Sequence, residues 1–378
     1  MKIGILTQPL HNNYGGLLQA YAMQKALLNL GHEPWTIDIW QVEQRRNFRY
    51  YYVYVKIILN RTIRRWALGE PLRINVWPTE KYREEVARYT KRFVKDHIRV
   101  TKKINGASDL KCLDEYKFDA YLVGSDQVWR PKYSPGIRHF FLDFVSENNK
   151  IRKFSYAASF GVENWEFSEE DSDSCRELIK QFDGVSVRED TGVVLCKEYL
   201  SVDAVHVLDP TLLLDVSDYL ELCKSDNAVL SEGDLLVYII DLSDAKNKLI
   251  RFVSDELSLK PFYVNKMFGG FDSGIYPPVT RWIRGFYDAK FVITDSFHGT
   301  VFSILFNKPF LVVDNKNRGT ARFLSLLNAF GLQGRIVDPC IQVHKGLLVD
   351  DIDWGEINKI LASLKVRSKD FLFKMLNA

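Results

Sequence analysis

At 378 residues the chain is longer than one hydrophobic core usually supports, so two domains are expected. An apolar content of 46% with 26% charged residues excludes a disordered or fibrous chain, and 51 basic against 48 acidic residues leave a balance too even to predict a nucleic-acid partner. The five cysteines form no CxxC pair, which argues against a zinc site or a disulfide framework and for a reducing, cytoplasmic setting. No apolar run is long enough to cross a bilayer, and the first residues lack the pattern of a signal peptide.

The chain opens with a strand-like run, Lys2 to Thr7, then a polar loop from His11 to Gly16. A helix is predicted from about Leu17 to Leu30, ended by Gly31, and a second strand over Trp35 to Ile39. Asn13, Gly15 and Gly16, with Gln19 just inside the helix, lie where a βαβ unit holds a phosphate, although the GxGxxG spacing is absent. A turn whose glycines only satisfy the backbone is the alternative. From 41 to 66 the composition changes: seven Lys and Arg residues stand against one acid, Glu43, with aromatic and aliphatic residues between them. Such a segment either rests on an anionic membrane surface as a peripheral contact or packs its apolar side on the domain and extends its Arg side chains into water.

Three further strands are predicted at Phe118 to Val123, Lys153 to Ala157 and Val185 to Val187. Each ends in a polar cluster, namely Ser125, Asp126, Gln127 and Trp129, then Ser159, then Arg188. In a parallel sheet these ends line one edge, where α/β folds bind ligands. The guanidinium of Arg188 suits a carboxylate or phosphate; a salt bridge to Glu189 or Asp190 is the alternative. A last short strand, Val205 to Leu208, precedes Asp209 and Pro210, and the polar stretch from Cys223 to Gly233 marks the crossover to a second unit.

That second unit alternates strands at Leu235 to Ile240, Pro261 to Val264, Phe291 to Thr294 and Phe310 to Val313 with helices at Asp244 to Leu257, Val279 to Asp288, Thr300 to Phe306 and Thr320 to Phe330, with a Gly-rich loop at Phe268 to Gly274. A basic amphipathic helix, Ile357 to Leu376, follows. The expected fold is α/β, GT-B-like, with two Rossmann-like doubly wound domains facing across a cleft. Residues 1–212 form the first domain, 213–350 the second, and 351–378 a helix that packs back across the boundary.

The stretch from Phe291 to Phe310 reads strand, polar turn, helix. Asp295, Ser296, His298 and Gly299 fall in that turn, and Thr300 opens the predicted helix. Backbone N–H groups and the positive end of a helix dipole would favour an anion there, with His298 at the mouth. A histidine that only ties the loop together by hydrogen bonds is the alternative.

Taken in order, Asn13 to Ala22 (NYGGLLQAYA), Asp119 to Trp129 (DAYLVGSDQVW), Ser155 to Gly161 (SYAASFG), Ser186 to Glu189 (SVRE), Leu208 to Leu212 (LDPTL) and DSFHGT resemble the polysaccharide pyruvyl transferase family, over roughly 1–334. The resemblance implies transfer of a pyruvyl group from phosphoenolpyruvate to two hydroxyls of a saccharide, which is lipid-linked or nucleotide-linked, giving a cyclic ketal and phosphate at the cytoplasmic face of a membrane. It implies phosphoenolpyruvate as co-substrate and no metal or other cofactor. It makes His298 the histidine of the donor site, either protonating the donor or assisting phosphate departure, and Arg188 an arginine that holds the donor; Ser296, Gly299 and Thr300, beside His298, are further donor-binding candidates. Asn13, Gly15, Gly16, Gln19, Ser125, Asp126, Gln127, Trp129, Ser159 and Asp295 then line the acceptor side of the cleft. Many members carry an Arg two residues before the histidine, where this chain has Ser296. Arg318 or Arg322 is therefore expected to supply that charge, and Asp295 to weaken donor binding by repulsion. A glycosyltransferase using a nucleotide sugar, with Asp295 or Asp126 as base, and a non-catalytic saccharide-binding protein are the alternatives.

Overall fold

The computed structural model describes residues 1–39, 55–56, 58–60, 62–63, 65–67, 84–134, 136–146, 150–264, 275–314, 321–341 and 343–377. Most of the basic segment 41–66, the loop 268–274 and Arg318 lie outside them.

Eleven strands among the described residues form two parallel sheets. In the first, β1 (Lys2–Leu6) pairs with β2 (Glu33–Thr36) and β3 (Ala120–Val123), and β3 pairs with β4 (Arg152–Ser155), in the order β2-β1-β3-β4. The pair β5 (Ser186–Val187) and β6 (Val205–His206) extends this sheet through bridges from Phe154 to Gly184 and from Ala158 to Val187. The second sheet has the order β11-β10-β9-β7-β8, built from β7 (Leu235–Tyr238), β8 (Pro261–Tyr263), β9 (Phe291–Thr294), β10 (Phe310–Val313) and β11 (Ile336–Val337). Both orders reverse beside a central strand, at β1 and β3 in one sheet and at β7 and β9 in the other. Such switch points open a crevice at the carboxyl ends of the strands.

The helices that bear on the site are α1 (Tyr14–Asn29), α2 (Arg88–His97), α3 (Glu169–Ile179), α4 (Asp190–Leu195), α5 (Val216–Ser225), α6 (Asp244–Leu257), α7 (Val279–Asp288), α8 (Phe297–Leu305), α9 (Ala321–Ala329), α10 (Gly346–Val349) and α11 (Trp354–Asn377). Strands β9 and β10 and helices α6 and α7 keep their predicted bounds, because each is fixed by an uninterrupted apolar run or a full helical period. Two starts differ. Helix α1 begins at Tyr14, so Gly15 and Gly16 belong to its first turn and not to a phosphate loop. Helix α8 begins at Phe297, directly after the N-cap Ser296, so His298 and Gly299 are helical and the predicted turn shrinks to Asp295 and Ser296.

One buried cluster joins helix α1 of the first half to the second sheet and its helices. Tyr14, Leu17 and Leu18 of α1 meet Trp282 and Phe286 of α7 and Phe302 of α8. Tyr14 stacks on Trp282 at 5.9 Å between ring centres, and its hydroxyl donates to the Pro277 carbonyl at 2.9 Å. Helix α11 ties the halves together from behind. Its Ile357 and Leu361 join this shared cluster, whereas Phe371, Leu372 and Leu376 cover Ile3, Ile5, Ala120 and Phe154 of the first sheet.

Candidate active site between the two sheets

The carboxyl ends of β3, β4, β5 and β6 carry Ser125 and Asp126, Ser159, Arg188, and Asp209, all buried. The loops are pinned to each other: the Ser159 amide donates to the Asp126 carbonyl and the Arg188 amide to the Ala158 carbonyl. Asp126 itself holds a left-handed backbone with φ of 71°, which turns the chain sharply out of β3.

Arg188 stands at the centre. Its Nη1 donates to Asp209 Oδ2 at 2.9 Å, its Nη2 to Asp126 Oδ1 at 3.4 Å, and its Nε lies 4.0 Å from Glu189 Oε2 without a hydrogen bond. The expected ion pair with Glu189 is present at 4.0 Å but is one contact of a wider cluster, in which Asp126 and Asp209 accept hydrogen bonds from the guanidinium. The other Glu189 oxygen accepts from Ser159 Oγ and from the amides of Phe160 and Gly161, while Oε2 is buried with no hydrogen bond.

Asp209 joins the two sheets. Its Oδ1 accepts from the Thr211 amide and hydroxyl, and its Oδ2 accepts from Ser125 Oγ at 3.0 Å and from Arg188. The same Oδ2 lies 3.6 Å from His298 Nε2, which has no hydrogen-bond partner closer. Burial alone would raise the pKa of Asp209, but His298 and Arg188 outweigh it and hold the carboxyl well below its ordinary value. Asp126 behaves alike: burial opposes, and Arg188, His298 and Arg322 prevail. Three cationic or protonatable side chains and three carboxylates thus share one desolvated space.

From the second sheet come His298, in the first turn of α8, and Arg322, in the first turn of α9. The Phe297 ring lies between two guanidinium groups, with Arg188 at 4.3 Å and Arg322 at 5.7 Å from its centre. Burial and the neighbouring Arg188 push the Arg322 pKa down to about 10, so charge on Arg322 is held at a cost that a bound anion would relieve. Across the cleft Gly15 leaves room for the histidine: a Cβ at 15 would stand 2.1 Å from His298 Nδ1.

Several expected site residues face elsewhere. Asp295 accepts from the amides of Ile240 and Asp241 and from Lys246 Nζ at 2.6 Å, so its charge is balanced inside the second sheet. Trp129 is fully buried in the core of the first unit, stacked on Phe141 with its indole N–H donating to the Phe140 carbonyl. Ser296 caps α8 by accepting from the Gly299 amide at 3.4 Å, Thr300 donates back to the Ser296 carbonyl, and Gly299 packs against Thr294 and Tyr238. Gln127 gives its side-chain oxygen to Arg130. Gln19 donates to Thr7 Oγ1, which donates to the Ser125 carbonyl, so it supports the β3 loop from beneath. Asn13 is exposed and Gly16 lies beside it. Arg318 lies outside the described residues.

From the sequence, Asp209 and Lys246 carry no assigned role, and Glu189 only that of a salt-bridge partner to Arg188. Asp209 had a readable signal, since it follows a short strand and precedes a proline, as the other strand-end site residues follow theirs. Lys246 had none, because its partner lies in a different strand-helix unit. Among the described residues no group of three or more His, Cys, Asp or Glu side chains is arranged to hold a metal ion.

The two facing parallel sheets, the crevice at their switch points and the long helix returning across them define a GT-B-like α/β protein with a charged interdomain site. The chain belongs to the polysaccharide pyruvyl transferase family, whose family model matches residues 13–317. A search of curated proteins found no match. Among solved structures, UDP-GlcNAc 2-epimerase from Neisseria meningitidis bound to UDP-GlcNAc aligns over 100% of this chain and 99% of its own, with TM-score 0.50 and 9% identity. The S. aureus MnaA-UDP co-structure aligns over 98% and 91%, with TM-score 0.47 and 13% identity. The spinosyn rhamnosyltransferase SpnG aligns over 99% and 100%, with TM-score 0.44 and 10% identity. At 9% identity the likeness to the Neisseria epimerase is one of fold alone.

Proposed function

We propose that this pyruvyl transferase family member takes its pyruvyl group from phosphoenolpyruvate and sets it as a cyclic ketal on a saccharide during assembly of a surface polysaccharide. The observation that carries this reading is the convergence of His298 and Arg322 from one sheet on Arg188 and Asp209 from the other. Arg188 and Arg322 supply two guanidinium forks for a donor that bears a carboxylate and a phosphate. The methylene carbon of the donor must gain a proton before C2 is attacked, and His298 is the titratable acid in place to give it. One acceptor hydroxyl then bonds to C2 and gives up its proton, the bond between C2 and the phosphate oxygen breaks, and the second hydroxyl bonds to C2 and gives up its proton; phosphate leaves with one of the two protons and the other restores His298.

The acceptor side is assigned to the first turn of α1 and the loop after β3, where Gly15 and Asp126 face the histidine. A lipid-linked or nucleotide-linked saccharide, reached from the cytoplasm, is the acceptor class. Among the described residues no helix is long and apolar enough to cross a membrane.

Incubating the protein with phosphoenolpyruvate and a panel of saccharides bearing neighbouring hydroxyls should release inorganic phosphate and add the mass of pyruvate less water to one acceptor. Calorimetric binding of a nucleotide sugar with no binding of phosphoenolpyruvate would replace this reading by glycosyl transfer. A surface glycan that changes on loss of the gene but not with His298→Ala would replace it by a binding role.

A further inference from the structure

Residues 55–56, 58–60, 62–63 and 65–67 are helical, and Thr62 Oγ1 donates to the Ile58 carbonyl at 2.8 Å, a one-turn helical contact. Along this helix Val55, Leu59, Ile63 and Trp66 are 55%, 58%, 62% and 81% exposed. With a residue every 100° or so, these four side chains fall within one arc of about 80°. Lys56 and Arg65, both exposed, flank that arc, about 20° beyond one edge and about 80° beyond the other. Large apolar side chains are exposed elsewhere too, as at Val229, Ile341 and Val349, but here four of them share one arc of one helix. A row of four left in water is a surface made to be covered.

We infer that this helix lies on an anionic lipid surface, with Val55, Leu59, Ile63 and Trp66 entering the headgroup boundary and Lys56 and Arg65 reaching up to lipid phosphates. Charge decides between a membrane and a second protein. Residues 41–66 carry seven Lys and Arg against one acid, a ratio that complements the negative surface of a bilayer. Apolar side chains on one arc, basic side chains flanking it and a tryptophan near the end make up the pattern of an interfacial helix. The purpose assigned to it, bringing the cleft to a lipid-linked acceptor, rests on the saccharide-transfer reading. The surface itself does not, and its test uses no substrate.

The test is cosedimentation of the full chain with vesicles of phosphatidylcholine alone or mixed with phosphatidylglycerol. Binding is expected to the mixed vesicles, to weaken as salt is raised, and to fall by about tenfold or more with Leu59→Glu and Ile63→Glu together. Lys56→Glu with Arg65→Glu should remove the preference for the anionic vesicles while leaving circular dichroism unchanged, which keeps the result readable if the first variant fails to fold. Phosphate release with a water-soluble acceptor should be the same for both variants and the parent, so loss of the surface is separable from loss of the chemistry. Absence of binding to the anionic vesicles, equal binding by the doubly acidic variant, or a dimer in light scattering that this variant splits without any vesicle binding would each overturn the inference; the last would make this face a contact between copies of the chain.

Discussion

Asp209 and Asp295 make an instructive pair. Each follows the carboxyl end of a parallel strand, each is buried, and each has a basic side chain within 3 Å. Asp295 closes its charge within its own unit: Lys246 and two amides of the loop after β7 take both its oxygens, and nothing of the first sheet reaches it. Asp209 leaves its charge open to the cleft, since its Oδ2 serves Ser125 and Arg188 and still faces His298 of the other sheet. The same residue type at the same topological position is a fastening in one sheet and an electrostatic contact between sheets in the other. The difference comes from the partner: a flexible Lys from the next helix can fold back over a strand end, whereas the Arg at the neighbouring strand end of the first sheet is held in the cleft by its own stacking on Phe297.

The largest effect should come from the ring that Asp209 faces. His298→Gln is expected to lower phosphate release by about 10²–10⁴-fold, the usual worth of a positioned acid, with the midpoint of denaturant unfolding little changed. A variant that releases phosphate at the parent rate would remove His298 from the chemistry and leave Asp209 as a structural carboxylate like Asp295.

Next come the two carboxylates themselves. Asp295→Ala strands a buried Lys246 and should cost about 3–5 kcal/mol of stability, with activity lost only as the protein unfolds. Asp209→Asn keeps the shape, loses the charge-assisted bond to Arg188, and should cost about 1.5–3 kcal/mol near neutral pH. The pH dependence separates them further. Because His298 and Arg188 hold the Asp209 carboxyl below its ordinary value against the effect of burial, its contribution is complete above the ordinary carboxylate range and is lost as pH falls through the lower native value. The stability gap between the parent and Asp209→Asn should therefore close as the solution is acidified below about pH 4. A gap independent of pH would mean that the asparagine fails for reasons of packing.

This pair also marks how far the amino-acid sequence could be read. Strand and helix positions were legible wherever an apolar run was unbroken, as at β9, β10, α6 and α7, because periodicity depends only on near neighbours in the chain. The gathering of strand-end polar residues was legible too, since parallel topology sends those ends to one edge. Helix starts at glycines were not: Gly15 and Gly16 look like a loop by composition but fit a first turn that packs against another element. Nor was the fate of Asp295. Its partner Lys246 is 49 positions away, on an exposed-looking helix start, and only the folded distance of 2.6 Å distinguishes a locked carboxylate from a free one. Trp129 misled for the opposite reason, since its motif places it beside cleft residues while its bulk is needed in the core.

Gly15 tests how closely the two sheets approach at the histidine. Gly15→Ala adds a methyl group 2.1 Å from His298 Nδ1, and either the ring or helix α1 must move. Overpacking of this kind costs about 1–3 kcal/mol, offset by up to about 1 kcal/mol from replacing a glycine inside a helix. The net stability loss should be small, yet displacement of the ring by about 1 Å should lower turnover by about 10²-fold. Equal activity in the alanine variant would show that the cleft opens at this point before chemistry.

The smallest expected effect concerns Ser296, which the structure gives a capping bond and which the family resemblance places beside the donor. If capping is its role, Ser296→Ala should cost about 1 kcal/mol, the usual worth of a cap, because the Gly299 amide loses its acceptor. Ser296→Asp should restore that loss, since a carboxylate caps as well as a hydroxyl and favours the positive end of the helix. Activity per folded molecule then separates the two roles. Alanine should turn over like the parent, whereas aspartate, stable as it is, should raise the KM for phosphoenolpyruvate by placing a negative charge two residues before His298, uncompensated there as Asp295 is compensated by Lys246. An aspartate variant with unchanged KM would move the donor away from the mouth of α8 and towards Arg188, on the side of the cleft that Asp209 controls.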